Sequence, residues 1–161
     1  MKRFFMPILL GFCFVALLSS CNKDLKNSEK FVGTYIGTET VTGSITLQIP
    51  MVGSISNPIN ETSTSNFSII LGEEDNEIIM VSGEDRLKGT VSGSTVVFDD
   101  IVETYYEDGI SGNIKVTTSG DINGDKFTYQ SIMTGDISGS MEGIPVTGTI
   151  NATNSGVATK Q

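Results

Sequence analysis

From Phe31 onward, hydrophobic and polar residues alternate one by one. Ile45, Leu47, Ile49 and Met51 lie on one side of an extended segment and Ser44, Thr46, Gln48 and Pro50 on the other, the period of a half-buried strand. The same alternation recurs in Phe67, Ile69 and Leu71, in Ile114 and Val116, and in Phe127, Tyr129 and Met133. No useful length of this region carries a helical period. Short strands separated by glycine-bearing turns predict an all-β fold, an antiparallel up-and-down β-barrel of about eight or nine strands, with a β-sandwich built from the same hairpins as the alternative.

A weak internal repeat places the turns. "GTVSGSTVVF" (89–98), "GDINGDKFTY" (120–129) and "GDISG" (135–139) share a glycine, a β-branched residue and a second glycine at fixed offsets. A two-residue turn at Asn123-Gly124 sets Asp121 opposite Lys126 as an exposed ion pair and Gly120 opposite Phe127 on the apolar side. An aromatic there covers the backbone that the glycine leaves bare. A turn at Ser92-Gly93 sets Arg86 opposite Asp99, Leu87 opposite Phe98 and Gly89 opposite Val96. The same construction at Ser138-Gly139 sets Met133 against Ile144 and Tyr129 against Gly148, and turns Glu142 inward. At the start of the body, a three-residue loop at Thr42–Ser44 keeps Phe31, Tyr35 and Val41 on the face of Ile45–Met51. The segment 53–66, "GSISNPINETSTSN", carries no strand pattern and is expected to be a long loop over one barrel opening.

The ends of the chain differ from this body. Lys2 and Arg3 precede an apolar run from Phe4 to Leu18, followed by Ser19, Ser20 and Cys21. That is the layout of an export signal, and the run is shorter than the roughly 20 residues of a membrane-spanning helix. "LSSC" (18–21) resembles the lipobox of bacterial lipoproteins. The resemblance implies cleavage before Cys21, acylation of its thiol and attachment to a cell-envelope membrane, the outer membrane in either its periplasmic or its surface-facing leaflet. The expected division is a signal peptide at 1–20, a lipidated flexible tether at 21–30, a barrel at 31–154 and a polar C-terminal tail at 155–161.

"FVGTY" (31–35) resembles the first strand of lipocalin-like (calycin) barrels, in which a glycine and an aromatic two residues later close the barrel bottom. Small lipoproteins of this kind are familiar in Bacteroidota. Tyr35 stands where tryptophan is usual, and the chain contains no tryptophan. The resemblance implies a cavity for a small apolar molecule.

Charge and composition narrow the chemistry. Beyond the leader, 8 basic residues oppose 19 acidic ones, a net −11 that argues against nucleic acid and against electrostatic adhesion to anionic lipid. The chain has no histidine, and its other cysteine, Cys13, lies inside the apolar run. Triads with histidine and the usual zinc, copper and haem ligand sets are thereby excluded, and no cofactor is expected. The acidic clusters "GEEDNE" (72–77) and "YEDG" (106–109) read as solvated turns rather than calcium sites. "GDINGDKFTY" departs from an EF-hand loop, with Lys126 where glycine is needed and Ile132 where a bidentate glutamate belongs. Asp100 and Glu142, both placed on inward faces, leave carboxylate-pair hydrolysis as a formal option. The inward set Tyr35, Met51, Phe98, Tyr129 and Met133 is first of all a core, and in a wide enough barrel the wall of a pocket. The expected role is non-enzymatic: binding a small apolar ligand or glycan fragment, or, with a filled barrel, engaging another envelope protein that the sequence does not identify.

Overall fold

The structure is a computed structural model that describes residues 25–161; the expected signal peptide and Cys21 lie outside the described residues. A short helix, α1 (Leu25–Glu29), precedes nine antiparallel strands. These are β1 (Gly33–Ile49), β2 (Gly53–Leu71), β3 (Glu77–Ser82), β4 (Asp85–Ser92), β5 (Thr95–Phe98), β6 (Ile101–Glu107), β7 (Ile110–Asn123), β8 (Lys126–Met141) and β9 (Ile144–Lys160). They form one sheet in the order β5-β4-β3-β2-β1-β9-β8-β7-β6, and a further β5–β7 pairing bends it into a ring. This is the all-β up-and-down architecture predicted by the alternation, as one ring-like sheet.

The ring closes at one end only. There β1, β2, β3, β4, β5, β7, β8 and β9 follow one another around the circle, and β5 needs only the pairs Thr95–Asp121 to Val97–Ser119 to complete it. At the other end β2 pairs with β3 only from Ser68 to Leu71, and β6 pairs with β7 alone, so two strand edges face each other without closing.

Each end has its own core. The closed end packs Phe31, Tyr35, Phe67, Phe98, Phe127 and Tyr129 with Ile69, Ile78 and Val96. Tyr35 stacks on Phe67 at 5.4 Å, Phe127 on Tyr129 at 5.8 Å, and Phe67 meets Tyr129 edge-on at 5.7 Å. Such contacts add to the area that aromatic rings bury. The open end packs Leu47, Ile110, Ile114, Val116, Ile137, Val146 and Ile150, flanked by Tyr105 and Met133.

Several expectations about register are corrected. The β7–β8 turn is Gly124-Asp125, so Asn123 pairs with Lys126 and Asp121 with Thr128; Asp121 instead accepts a hydrogen bond from Thr95 Oγ1 at 2.8 Å. The β4–β5 turn is Gly93-Ser94, which puts Gly89 opposite Phe98 and pairs Arg86 with Val81 of β3 rather than with Asp99. In both turns the glycine takes the first central position, with φ of 61° and 65°, as a type II′ turn requires. The shift is two residues, and a strand's side-chain period is two, so the inward and outward sets survive unchanged. The Phe127 ring still lies over Gly120, now from the diagonal position. The β8–β9 turn is Glu142-Gly143, which pairs Gly139 with Val146 and Tyr129 with Gly156 and leaves Glu142 exposed.

The first strand does not turn at Thr42–Ser44 but runs straight to Ile49, and the turn is Pro50–Val52. Tyr35 and Leu47 share the inner face because both are odd-numbered positions of one continuous strand. The expected loop 53–66 is strand β2. Its core contribution is slight, and it is held instead by backbone pairing to β1 and by a ladder of facing side chains: Thr40–Thr62 at 3.1 Å, Thr46–Ser56 at 3.3 Å and Gln48–Ser54 at 3.1 Å.

The two ends of the described chain are also folded. Residues 155–160, expected to be a tail, lie in β9 between β1 and β8, because Gly156 and Ala158 are small enough to sit inward beside Tyr129 and Phe127. Residues 25–29, expected to belong to a flexible tether, form α1, where Ser28 is buried and its hydroxyl donates to the Asp75 carbonyl at 2.6 Å. Among the described residues no helix is long and apolar enough to cross a membrane.

Candidate functional site: a polar cleft where the ring opens

Between the closed end and the open end lies a cleft of about 470 Å³. Its floor is the inner face of the sheet, with Glu39 of β1, Asn154 of β9, Tyr129 and Ser131 of β8, and Val116 and Thr118 of β7. One wall is the free part of β2, Thr64–Phe67, and the other is Ile101 and Glu103 of β6. The β3–β4 hairpin contributes Met80, Ser82 and Leu87, and the cleft continues past it into a space of about 350 Å³ beside Asp85, Arg86 and Val102. The failure of β2 and β6 to pair therefore creates the opening.

Strand register determines what sits at the centre of the floor. Ser63, Glu39, Gly156 and Tyr129 stand in one row across β2, β1, β9 and β8. Adjacent strands are about 4.8 Å apart, so Glu39 and Tyr129, two strands from each other, meet only if nothing stands between them. Gly156 provides that space, and the Tyr129 ring lies over it. The Tyr129 hydroxyl donates to Glu39 Oε2 at 2.8 Å. Asn154 Nδ2 donates to the same oxygen at 2.9 Å, and Ser63 Oγ to Oε1 at 3.2 Å.

The electrostatics follow from this arrangement. Burial works to raise the Glu39 pKa, but the hydrogen bonds from Asn154, Tyr129 and Ser63 outweigh it and hold the carboxyl below its ordinary value. The Tyr129 hydroxyl is pushed up to about 12, first by burial, with Glu39 adding to the rise and the nearby Ser65 hydroxyl acting against it. The pair is therefore carboxylate and neutral phenol over the ordinary pH range.

Two polar atoms in this cleft are left over. Ser65 is only 7% exposed, and its hydroxyl, close enough to Tyr129 to work against the rise of that phenol's pKa, forms no hydrogen bond of good geometry. Asn154 Oδ1 is buried without a partner too, because the side chain must present its nitrogen to the Glu39 carboxylate. Buried polar atoms are nearly always satisfied, and an orphan costs roughly 1–3 kcal/mol. Ser65 brings a hydroxyl that can donate or accept, and Asn154 Oδ1 a carbonyl oxygen that only accepts.

Of the five residues expected to form a pocket wall, only Tyr129 lines the cleft. Tyr35 is fully buried in the closed-end core, its hydroxyl donating to the Phe31 carbonyl at 2.7 Å, and Phe98 is buried against Gly89. Met133 packs beside the open-end core. Met51 is not inward at all: the strand ends at Ile49, and Met51 sits fully exposed at the turn with φ 67°. The inward carboxylates are corrected as well, since Asp100 pairs with Lys115 at 2.7 Å on the outside and Glu142 lies in a turn. Among the described residues, no cluster of three potential metal ligands occurs.

The alternation did not single out Glu39, Ser65 or Asn154. Glu39 was detectable in principle, as a charge at an inward odd position between Tyr35 and Val41. Ser65 lay in a segment read as loop and Asn154 at the boundary of a segment read as tail, so neither had a face until the strands were known. No protein-family model matches the chain, and no curated protein is significantly similar to it.

Proposed function

We propose that the protein is a lipid-anchored component of a bacterial cell envelope that binds a small polar ligand, of glycan-fragment size, in the cleft where the sheet ring opens. The observation that carries this reading is the pair of unpartnered polar groups, the Ser65 hydroxyl and Asn154 Oδ1, beside a Glu39 carboxylate fixed by three donors. Hydroxyl groups of Thr64, Thr118 and Ser131 extend the polar lining, while Phe67 and Tyr129 offer aromatic surface of the kind that sugar rings pack against. A purely apolar ligand would leave these polar groups desolvated and unpaired. The lipocalin-like resemblance supports a binding role but favours an apolar occupant, and the cleft's lining turns the choice to the glycan.

Binding without turnover is the better reading because Glu39, the carboxylate at the centre of the floor, is held ionised and does not supply the proton donor that glycoside hydrolysis needs beside its ionised partner. Native mass spectrometry of the purified protein against a panel of small saccharides and fatty acids tests the reading. Adducts with saccharides are expected; adducts with fatty acids alone, or with nothing, would refute it. Attachment through Cys21 is tested separately by metabolic labelling with a palmitate analogue, with label expected in the parent and none in Cys21→Ser.

A second reading, engagement of another envelope protein, is favoured by one feature. The edge of β2 over residues 53–67 is free to accept an added strand.

A further inference from the structure

The chemical class of the ligand can be read from what the cleft supplies and what it lacks. Its lining contains two carboxylates, Glu39 and Glu103, and no lysine or arginine. Its unused hydrogen-bonding groups are the Ser65 hydroxyl, which can accept or donate, Asn154 Oδ1, which only accepts, and the remaining lone pair of the Glu39 carboxylate, which already accepts from Ser63, Tyr129 and Asn154. A carboxylate takes up to about four donors, so one position is open.

Resting on the binding role proposed above, we infer that the cleft selects a ligand bearing a primary ammonium group, of the amino-sugar class, with that group seated against the Glu39 carboxylate. An ammonium is a cation with three N–H donors and no acceptor, and the cleft offers it a carboxylate with an open lone pair and a net negative charge. A neutral hydroxyl in the same place also donates to Glu39, but it brings no charge to set against the two carboxylates. A carboxylate or phosphate ligand meets two like charges and no counter-charge. Glu39 of β1 lies between Ser65 of β2, opposite Gly37, and Asn154 of β9, opposite Val41, so its place in the cleft is fixed by sheet register and does not have to be assembled when the ligand arrives. Arg86, at the outer extension of the cleft, lies beyond this seat.

Glucosamine and glucose, which differ at one position by ammonium against hydroxyl, are the probes. Calorimetric or NMR titration near neutral pH is expected to give glucosamine about tenfold tighter binding, the factor of one charge-assisted hydrogen bond. N-acetylglucosamine, whose nitrogen is neutral, should behave like glucose. In Glu39→Gln the preference should disappear while weak binding of both sugars persists. A measurement on the parent protein removes any dependence on that variant's folding: the preference should decline as pH rises through the titration of the glucosamine amine. Equal binding of the two sugars, or a preference that ignores pH, would overturn the ammonium inference and leave the glycan-binding role standing. A preference that survives unchanged in Glu39→Gln would remove Glu39 from the seat. No binding of any of the three sugars would overturn both readings together.

Discussion

The Tyr129 ring lies across the backbone of Gly156, and that contact allows its hydroxyl to reach Glu39 two strands away at 2.8 Å. The relationship joins the two parts of the molecule. The ring of Tyr129 belongs to the aromatic core of the closed end, and its hydroxyl belongs to the floor of the open cleft. A methyl group at position 156 would overlap the ring itself. Gly156→Ala is therefore expected to displace Tyr129 and cost about 1–3 kcal/mol in urea unfolding. The accompanying loss of the Tyr129–Glu39 bond should appear as a downward move of the Tyr129 titration toward its ordinary range. A variant of unchanged stability would mean that the ring is not seated on the glycine.

Ser65→Ala separates stability from binding. Removing an orphaned buried hydroxyl should raise stability by about 1 kcal/mol, while a ligand that uses this atom should bind roughly three- to tenfold more weakly. Thermal unfolding and titration of the same sample check both signs. A variant that is less stable would show that the hydroxyl has a partner in the free protein.

Alkaline titration reports the tyrosines. Burial, ahead of the nearby Asp125 charge, pushes Tyr35 up to about 12, and burial with Glu39 does the same to Tyr129. The hydrogen bond to Glu107, followed by burial, lifts Tyr105 to about 12. A phenol whose folded pKa is raised favours the folded state fully below its unfolded pKa near 10, and this contribution is lost as pH rises through the folded value. Stability should therefore fall between about pH 10 and 12, with tyrosinate absorbance appearing late. Tyr129→Phe should remove one of the late-titrating groups.

Acid acts through Glu39 in the opposite sense. Its folded pKa is lowered, so its contribution is present above the unfolded carboxyl pKa and is lost as pH falls through the folded value. The loss of stability between neutral pH and about pH 3, followed by urea midpoints, should be smaller in Glu39→Gln than in the parent. An identical acid limb in the two proteins would show that the three donors do not favour the ionised carboxylate.

The fold was legible because side-chain alternation has a period of two, and errors of two residues leave it intact. Placing the turns at Asn123-Gly124 and Ser92-Gly93 shifted the register without moving Phe127, Tyr129 or Val96 to the wrong face. The long strands were harder to see. Thr42-Gly43-Ser44 has the composition of a turn yet continues β1, because β2 and β9 pair with it on both edges. Residues 53–66 lack apolar alternation because that half of β2 has little core to face. The cleft was not legible for a related reason: Glu39, Ser65 and Asn154 come from strands that sequence distance does not connect, and only the β2–β1–β9–β8 order assembles them. Met51 failed as a pocket residue because the alternation of Ile45, Leu47 and Ile49 continues into it without marking where the strand ends.

The β8–β9 turn holds a correctable strain. Glu142 and Gly143 have φ of 52° and 83°, the type I′ pattern that favours asparagine at the first position. Glu142→Asn should stabilise the protein by about 1 kcal/mol, read as a shift in the urea midpoint with an unchanged slope. A destabilised variant would place an unrecognised role on the glutamate.

The most direct measurement is a backbone amide NMR titration of the protein with glucosamine. Ligand in the cleft should move the signals of Glu39, Ser65, Phe67, Glu103, Tyr129 and Asn154 and leave the closed-end residues Ile78 and Val91 still. Shifts that map to the outer face, or spectra unchanged at millimolar glucosamine and glucose alike, would contradict a binding site at the opening of the ring.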